Sequence, residues 1–247
     1  MITIFHCIKA EFEKCKHSAF LYIHILIPLL GAVAFAGYFH ISGWDIQTNI
    51  SVYLECLAVA FPFLIGIVVG MVVQLENQAG HWQLMLGTIP SRPAAYIGKI
   101  SFLMISAIEA ITLALGCFAI MYQGVPLTIY LKAGILLVLA VFPLYLIHLF
   151  VGMRFGKGAS LGLGIVGSLV MALMSTGLGD VIWKYNPWAW CIRFMDYTVL
   201  SWNDPSSFKL VCNGFSLCII IALFFSLLLS FLSILWFCSW EGCKEND

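Results

Sequence analysis

QLENQAGHWQLMLGTIPSRPAAYIGK, residues 74–99, is the one long polar stretch between the N-terminal segment and residue 180. It continues a hydrophobic helix, holds Glu76, Asn77, Gln78, His81 and Gln83, and closes on Pro90 and Pro93, which stop a helix before the next apolar run. Such a segment does not sit in hydrocarbon. Trp82, Leu84, Met85 and Leu86 give it apolar side chains without a core of their own, so its expected receptor is another protein. The flanking sequence reads as spans that connect this loop to the other face of a membrane.

Composition supports that reading. Hydrophobic residues make up 62% of the 247, charged residues 10%, and the mean hydropathy is +1.00, far outside the range of soluble domains. The expected fold class is an all-α polytopic membrane protein. Twelve basic and twelve acidic residues cancel, which leaves no field to attract nucleic acid. The nine cysteines show no C-x-x-C pair and no metal-ligand spacing. Those inside apolar runs, such as Cys56, Cys117 and Cys218, act as small hydrophobes. Cys191 and Cys212 flank an outer segment and could pair.

Residues 1–18 place Ile4, Phe5, Ile8, Phe12 and Cys15 on one helical arc, with Glu11, Glu13, Lys14 and His17 off it, the pattern of an amphipathic helix on a membrane surface. Glutamates interrupt its basic region and the apolar run that follows is long enough to span, so it is not a signal peptide. Six apolar runs reach spanning length, near Ala19–Phe39, Val52–Gln74, Ile100–Tyr122, Ile129–Gly152, Ala159–Gly179 and Leu210–Trp240. Residues 19–240 thus form the expected transmembrane domain, with a coupling loop at 75–99, an outer segment at 180–209 and a tail at 241–247. Loops on the N-terminal side hold eight basic residues (Lys9, Lys14, Lys16, Arg92, Lys99, Arg154, Lys157, Lys244) and the other side four (Lys132, Lys184, Arg193, Lys209), which places both termini in the cytoplasm.

Pro28, Pro62 and Pro143 fall mid-span, and Glu55, Ala58, Pro62, Gly66 and Gly70 share one arc of the second span, a surface suited to helix contact in lipid. The fifth span opens GASLGLGIVGS with the same property. Glu109, mid-way along the third span, should face protein or a water-filled path; a hydrogen bond to a neighbouring helix and a substrate contact are the rival roles. Glu55 lies near enough to the outer surface to be hydrated. His24 and His148 read as packed, hydrogen-bonding residues.

Catalytic motifs fail. GASLG at 158–162 matches G-x-S-x-G, but it opens an apolar helix rather than a strand-to-helix turn, which argues against Ser160 as a nucleophile. GMRFGKG at 152–158 lacks the Walker spacing, so the chain is not expected to hydrolyse ATP or to hold a cofactor or metal. The outer segment 180–209 carries Trp183, Tyr185, Trp188, Trp190, Phe194, Tyr197, Trp202 and Phe208, a composition suited to the headgroup zone. Asn186–Pro187 starts a helix and Asn203-Asp204-Pro205 stops it, so a short interfacial or re-entrant helix is expected near 187–200, with Arg193 close to Asp196 and Tyr197.

The arrangement resembles permeases of the type-2 ABC exporters: an amphipathic N-terminal helix, six spans, a loop after the second span carrying Glu76, Gly80, Trp82, Leu86, Pro90, Arg92, Gly98 and Lys99, and an aromatic outer segment before the last span. Size and the run NPWAWCIR (Asn186–Arg193) look most similar to the permease subunits of lantibiotic self-immunity transporters, with Cys191 standing where such chains are expected to carry proline. The resemblance implies a cytoplasmic ABC ATPase dimer that binds Glu76, Gln78, Gly80, His81, Trp82, Leu84 and Leu86, with ATP entering only through that partner. It also implies a second, non-identical permease, and an amphipathic antimicrobial peptide drawn from membrane lipid along a path that includes Glu109, Glu55, Trp188, Trp190 and Arg193. The location it implies is the plasma membrane of a Gram-positive bacterium. A general drug or lipid exporter, an intramembrane enzyme and a structural membrane subunit are the alternatives.

Overall fold

In the computed structural model, residues 2–78, 87 and 91–241 are described, and among them the chain is helical with short connections. The helices are α1 (Ile2–Cys15), α2 (Ala19–Ser42), α3 (Ile46–Gln78), α4 (Arg92–Met121), α5 (Leu127–Phe155), α6 (Lys157–Met174), α7 (Pro187–Asn203) and α8 (Pro205–Ser239). Two single turns of 3₁₀ helix, Gly177–Gly179 and Trp183–Tyr185, lead from α6 into α7. Six of these helices, α2–α6 and α8, are long and apolar enough to cross a membrane. α3 outruns its apolar run because polar residues at both ends continue the backbone ladder, beginning at Ile46 and still including Glu76 and Gln78, whereas α6 stops at Met174, short of the expected Gly179.

One end of the bundle, here the loop end, gathers α1, the two edges of the 79–90 stretch, the α5–α6 turn and the end of α8. Lys157 Nζ donates to Gln74 Oε1 at 2.7 Å, and the Arg92 guanidinium donates to the carbonyls of Cys238 (2.9 Å) and Trp240 (3.2 Å). At the far end Asn49 Nδ2 donates to Tyr122 Oη (2.6 Å) and Lys132 Nζ to Ser201 Oγ (2.7 Å). Capping follows the sequence: Ser18, Ser91, Asn186 and Asp204 accept backbone N–H groups in the first turns of α2, α4, α7 and α8.

A close backbone-to-backbone contact joins α3 to α6. A Cβ on Gly66 would lie 2.7 Å from the Ser160 carbonyl oxygen, and one on Gly164 would lie 2.7 Å from that of Pro62, so only glycine lets the backbones approach this far. Pro62 interrupts the α3 ladder, and Ser168 of α6 fills the break. Its hydroxyl accepts from Phe63 N–H (3.2 Å) and donates to Val59 O (2.8 Å), bridging the pair that would otherwise close one turn of helix.

α7 does not lie along the surface. It starts beside the middle of the bundle, where Trp188 presses on Gly167 and Pro62 borders the same contact, and it ends at the far end, where Ser201 meets Lys132. Buried Trp190, Phe194 and Met195 pack it against its neighbours, with Trp190 edge-on to Phe225 at 5.6 Å and Phe194 edge-on to Phe215 at 5.7 Å. α7 is thus packed among the other helices of the bundle. The eight aromatics of 180–209 divide: Trp183, Trp190 and Phe194 are buried, Tyr185 is exposed and the other four are half-buried.

Candidate functional site

The polar stretch that opens the sequence reading is anchored at both edges by one cluster of charges. Glu76 closes α3, Lys99 lies two turns into α4, and Glu11 and Lys14 come from α1. Lys99 Nζ donates to Glu11 Oε2 at 2.5 Å and to Glu76 Oε1 at 2.6 Å; Lys14 Nζ donates to the same Glu76 oxygen at 2.6 Å and to Glu11 Oε1 at 2.8 Å. Lys99 is 1% exposed, Glu76 4% and Glu11 6%. Two cations and two anions cancel, and every head group has two partners, the condition under which charge can be buried. Burial works against the Lys14 ammonium, but the carboxylates of Glu11 and Glu76 outweigh it and hold its pKa above the ordinary 10.5. Burial, then the Glu11 charge, pushes the neighbouring Cys15 thiol up to about 11.

The same contact corrects the reading of α1. Glu11 does not point to solvent; Cys7, Glu11 and Cys15, spaced at four, face the bundle, and Phe5 is 67% exposed. Gly98 permits this: a Cβ there would stand 2.5 Å from Cys7 Cβ. Phe12 completes the seat, edge-on to Phe102 at 4.7 Å. Because Glu11 is charged, a hydropathy arc cannot place it inside. Its signal is the presence of Lys99 and Glu76, two unpaired charges at the ends of spans.

Of the expected coupling residues, Glu76 therefore serves the cluster and Gln78 is exposed, while Gly80, His81, Trp82, Leu84 and Leu86 lie outside the described residues. The residues suggested for a substrate path sit in different surroundings. Trp190 is 1% exposed and donates its indole N–H to Lys184 O at 3.0 Å. Arg193 ties down the α6–α7 connection, donating to Met174 O (2.7 Å), Thr176 O (2.9 Å) and Asp180 Oδ1 (2.7 Å). Trp188 is half-buried against α6. Glu55, also half-buried, accepts from Ser51 Oγ at 2.7 Å and lies within electrostatic reach of Asp196 on α7. Glu109 is exposed on α4.

Ser160 does meet a histidine. His148 Nδ1 is 3.2 Å from Ser160 Oγ, and that hydroxyl in turn donates to Gly66 O at 3.3 Å. Nδ1 is the ring nitrogen within hydrogen-bond distance of the serine, and Nε2 is buried without a partner. Both residues are 0% exposed, so the arrangement is a polar knot between α3, α5 and α6 rather than an accessible nucleophile. Cys191 and Cys212 are free thiols. Among the described residues no group of His, Cys, Asp and Glu could hold a metal.

A family model described as ABC-2 family transporter protein matches residues 7–176, more than half of the chain, from α1 to the end of α6. The chain belongs to the ABC-2 transporter family. It is a membrane permease subunit of an ABC exporter, not itself the catalyst, and the family implies an ABC ATPase as partner. No curated protein and no solved structure matches the chain. In the permease, the matched region holds the whole charge cluster and both edges of the polar loop.

Proposed function

We propose that this permease takes its drive from the ABC ATPase through residues 75–99 and expels an amphipathic antimicrobial peptide from the membrane for self-protection. The observation that carries the coupling half is the buried cluster: Glu76 before the loop and Lys99 after it are tied to the same helix, α1, so that a displacement of the loop is passed to α1, α3 and α4 together. Gln78 is the exposed side chain that leads into the docking stretch, and Gly80, His81, Trp82, Leu84 and Leu86 supply the rest. ATP is bound and hydrolysed in the partner alone. A second, similar permease completes the channel.

The loop end is cytoplasmic, as the distribution of basic residues argues, and the turn between α7 and α8 is outside. The aromatic α7 supports the peptide half of the reading, because it offers an apolar and indole-rich element reaching from the outer surface to mid-membrane. Two measurements test it. Labelling from outside intact cells should reach a cysteine at Ser206 and not one at Gln78 in a cysteine-free background. Cells carrying the permease with its ATPase should survive a lantibiotic challenge that kills cells with Trp82→Ala at matched expression; equal survival removes the immunity reading.

A further inference from the structure

The bundle leaves the mid-span carboxyl group of Glu109 without a hydrogen-bonding partner among the described residues. Phe102 of α4 stacks on Phe20 of α2 (4.9 Å) toward the loop end, and Phe118 meets Phe39 (6.1 Å) toward the far end. Glu109 lies seven residues past the first and nine short of the second, roughly 10 and 14 Å along the axis at 1.5 Å per residue. It is exposed on the same side of α4 as Ile105 (44%) and Ile108 (45%), and makes no hydrogen bond or ion pair among the described residues. His24 of α2, within electrostatic reach, already engages Phe20 O through Nδ1 at 2.8 Å.

Between the far halves of α4 and α5, starting at Ile108 beside Glu109 in the chain, runs a groove of about 510 Å³. Ile108, Thr112 and Gly116 form one wall, Leu131 and Gly134 the other. Tyr130, only 4% exposed, also lines it, and its hydroxyl is buried without a partner. A Cβ on Gly116 would meet nothing within 4 Å, so its backbone is open to close approach.

We propose that this groove seats a transmembrane helix of a different polypeptide, one that carries a lysine or arginine at mid-span to pair with Glu109. A lipid supplies no cation at that depth, because its charged groups sit at the ends of a hydrocarbon layer about 30 Å thick. A second copy of this chain offers no free cation there either. Among the described residues of the spans, Arg92, Lys99, Arg154 and Lys157 stand at the loop end and Lys132 and Lys209 at the far end, while Arg193 of α7 is committed to Met174 O, Thr176 O and Asp180. Isologous pairing through this face would set two Glu109 carboxylates against each other. The open backbone at Gly116, the small Gly134 across the groove and the orphan Tyr130 hydroxyl all suit a helix that packs closely and brings polar side chains. The inference does not depend on the peptide substrate or on the ATPase contact.

The test uses purified permease in phosphatidylcholine nanodiscs with Leu131→p-benzoylphenylalanine on the groove rim, where residue 131 is 59% exposed. The probes are two synthetic 24-residue Leu/Ala helices, one with lysine at its midpoint and one with leucine there. Irradiation should give about tenfold more adduct with the lysine helix, equivalent to about 1.4 kcal/mol of preference. Glu109→Gln should remove the difference, and Gly116→Phe, which fills the groove from its open side, should abolish both adducts while the protein stays monodisperse. Equal adducts with the two helices, unchanged preference in Glu109→Gln, adducts to lipid alone, or adducts between two permeases would each overturn the proposal.

Discussion

Lys99 shows how much one side chain can hold. It lies two turns inside a span, nearly without exposure, and is tolerated because Glu11 and Glu76 each reach its ammonium. Lys99→Met should therefore destabilise the permease by on the order of 3–5 kcal/mol, since it leaves two buried carboxylates to share Lys14. Glu11→Gln with Lys99→Met should recover much of the loss, as one cation and one anion remain; thermal unfolding in detergent measures both. The cluster also has a pH signature. Lys14 has a folded pKa above 10.5, so its contribution is complete below pH 10.5 and is lost as the pH rises through the folded value. Wild type should lose thermal stability at strongly alkaline pH by more than Lys14→Gln does, and the two should show parallel behaviour from pH 7 to 9. Asp204 runs the opposite way. Hydrogen bonds from the Ser206 and Ser207 hydroxyls and amides hold its carboxyl down at about 2, so the cap of α8 is present at neutral pH and disappears only as the pH falls through that value. Amide exchange at Ser206 and Ser207 in wild type and Asp204→Ala reads it directly.

At the scale of elements, the spans were legible because length and hydropathy alone define them, and so was the small-residue arc of α3 that meets α6. The four-residue spacing of Pro62, Gly66 and Gly70 needs no knowledge of the partner. Which α6 residues answer that arc was not legible, because Gly158, Ser160, Gly162, Gly164, Gly167 and Ser168 occupy several sides of one helix and only packing chooses among them. Gly164 and Gly167 face neighbours, while Gly158 and Gly162 have nothing within 4 Å. Gly66→Ala should accordingly reduce stability markedly, because its methyl meets backbone and not a flexible side chain, whereas Gly162→Ala should be neutral or slightly stabilising by helix propensity. Ser168→Ala should cost about 1–3 kcal/mol by leaving Phe63 N–H and Val59 O without their bridge. The depth of α7 was hidden for a related reason. Its tryptophans fit a headgroup zone as well as a helix contact, and Trp188 against Gly167 depends on two segments 21 residues apart.

At the scale of the whole molecule, the cluster makes the loop end a single mechanical unit. α1 reaches α4 through Gly98 and Phe102, and reaches the last turn of α3 through Glu76, while α3 carries α6 with it through the glycine contact. A pull on residues 79–90 has two covalent exits, α3 and α4, and both are clamped to α1. The most direct measurement of this account is detergent co-purification of the ABC ATPase with the permease, and the ATP turnover of the complex in nanodiscs, for wild type, Trp82→Ala and Glu11→Gln/Lys99→Met. Trp82→Ala should lose the ATPase, at a cost above about 2 kcal/mol of binding if the indole fills a partner pocket. The double variant should retain the ATPase but show turnover no longer tied to substrate. Full retention of the ATPase by Trp82→Ala, together with wild-type turnover in the double variant, would contradict the claim that residues 75–99 and their charge cluster carry the drive into the membrane.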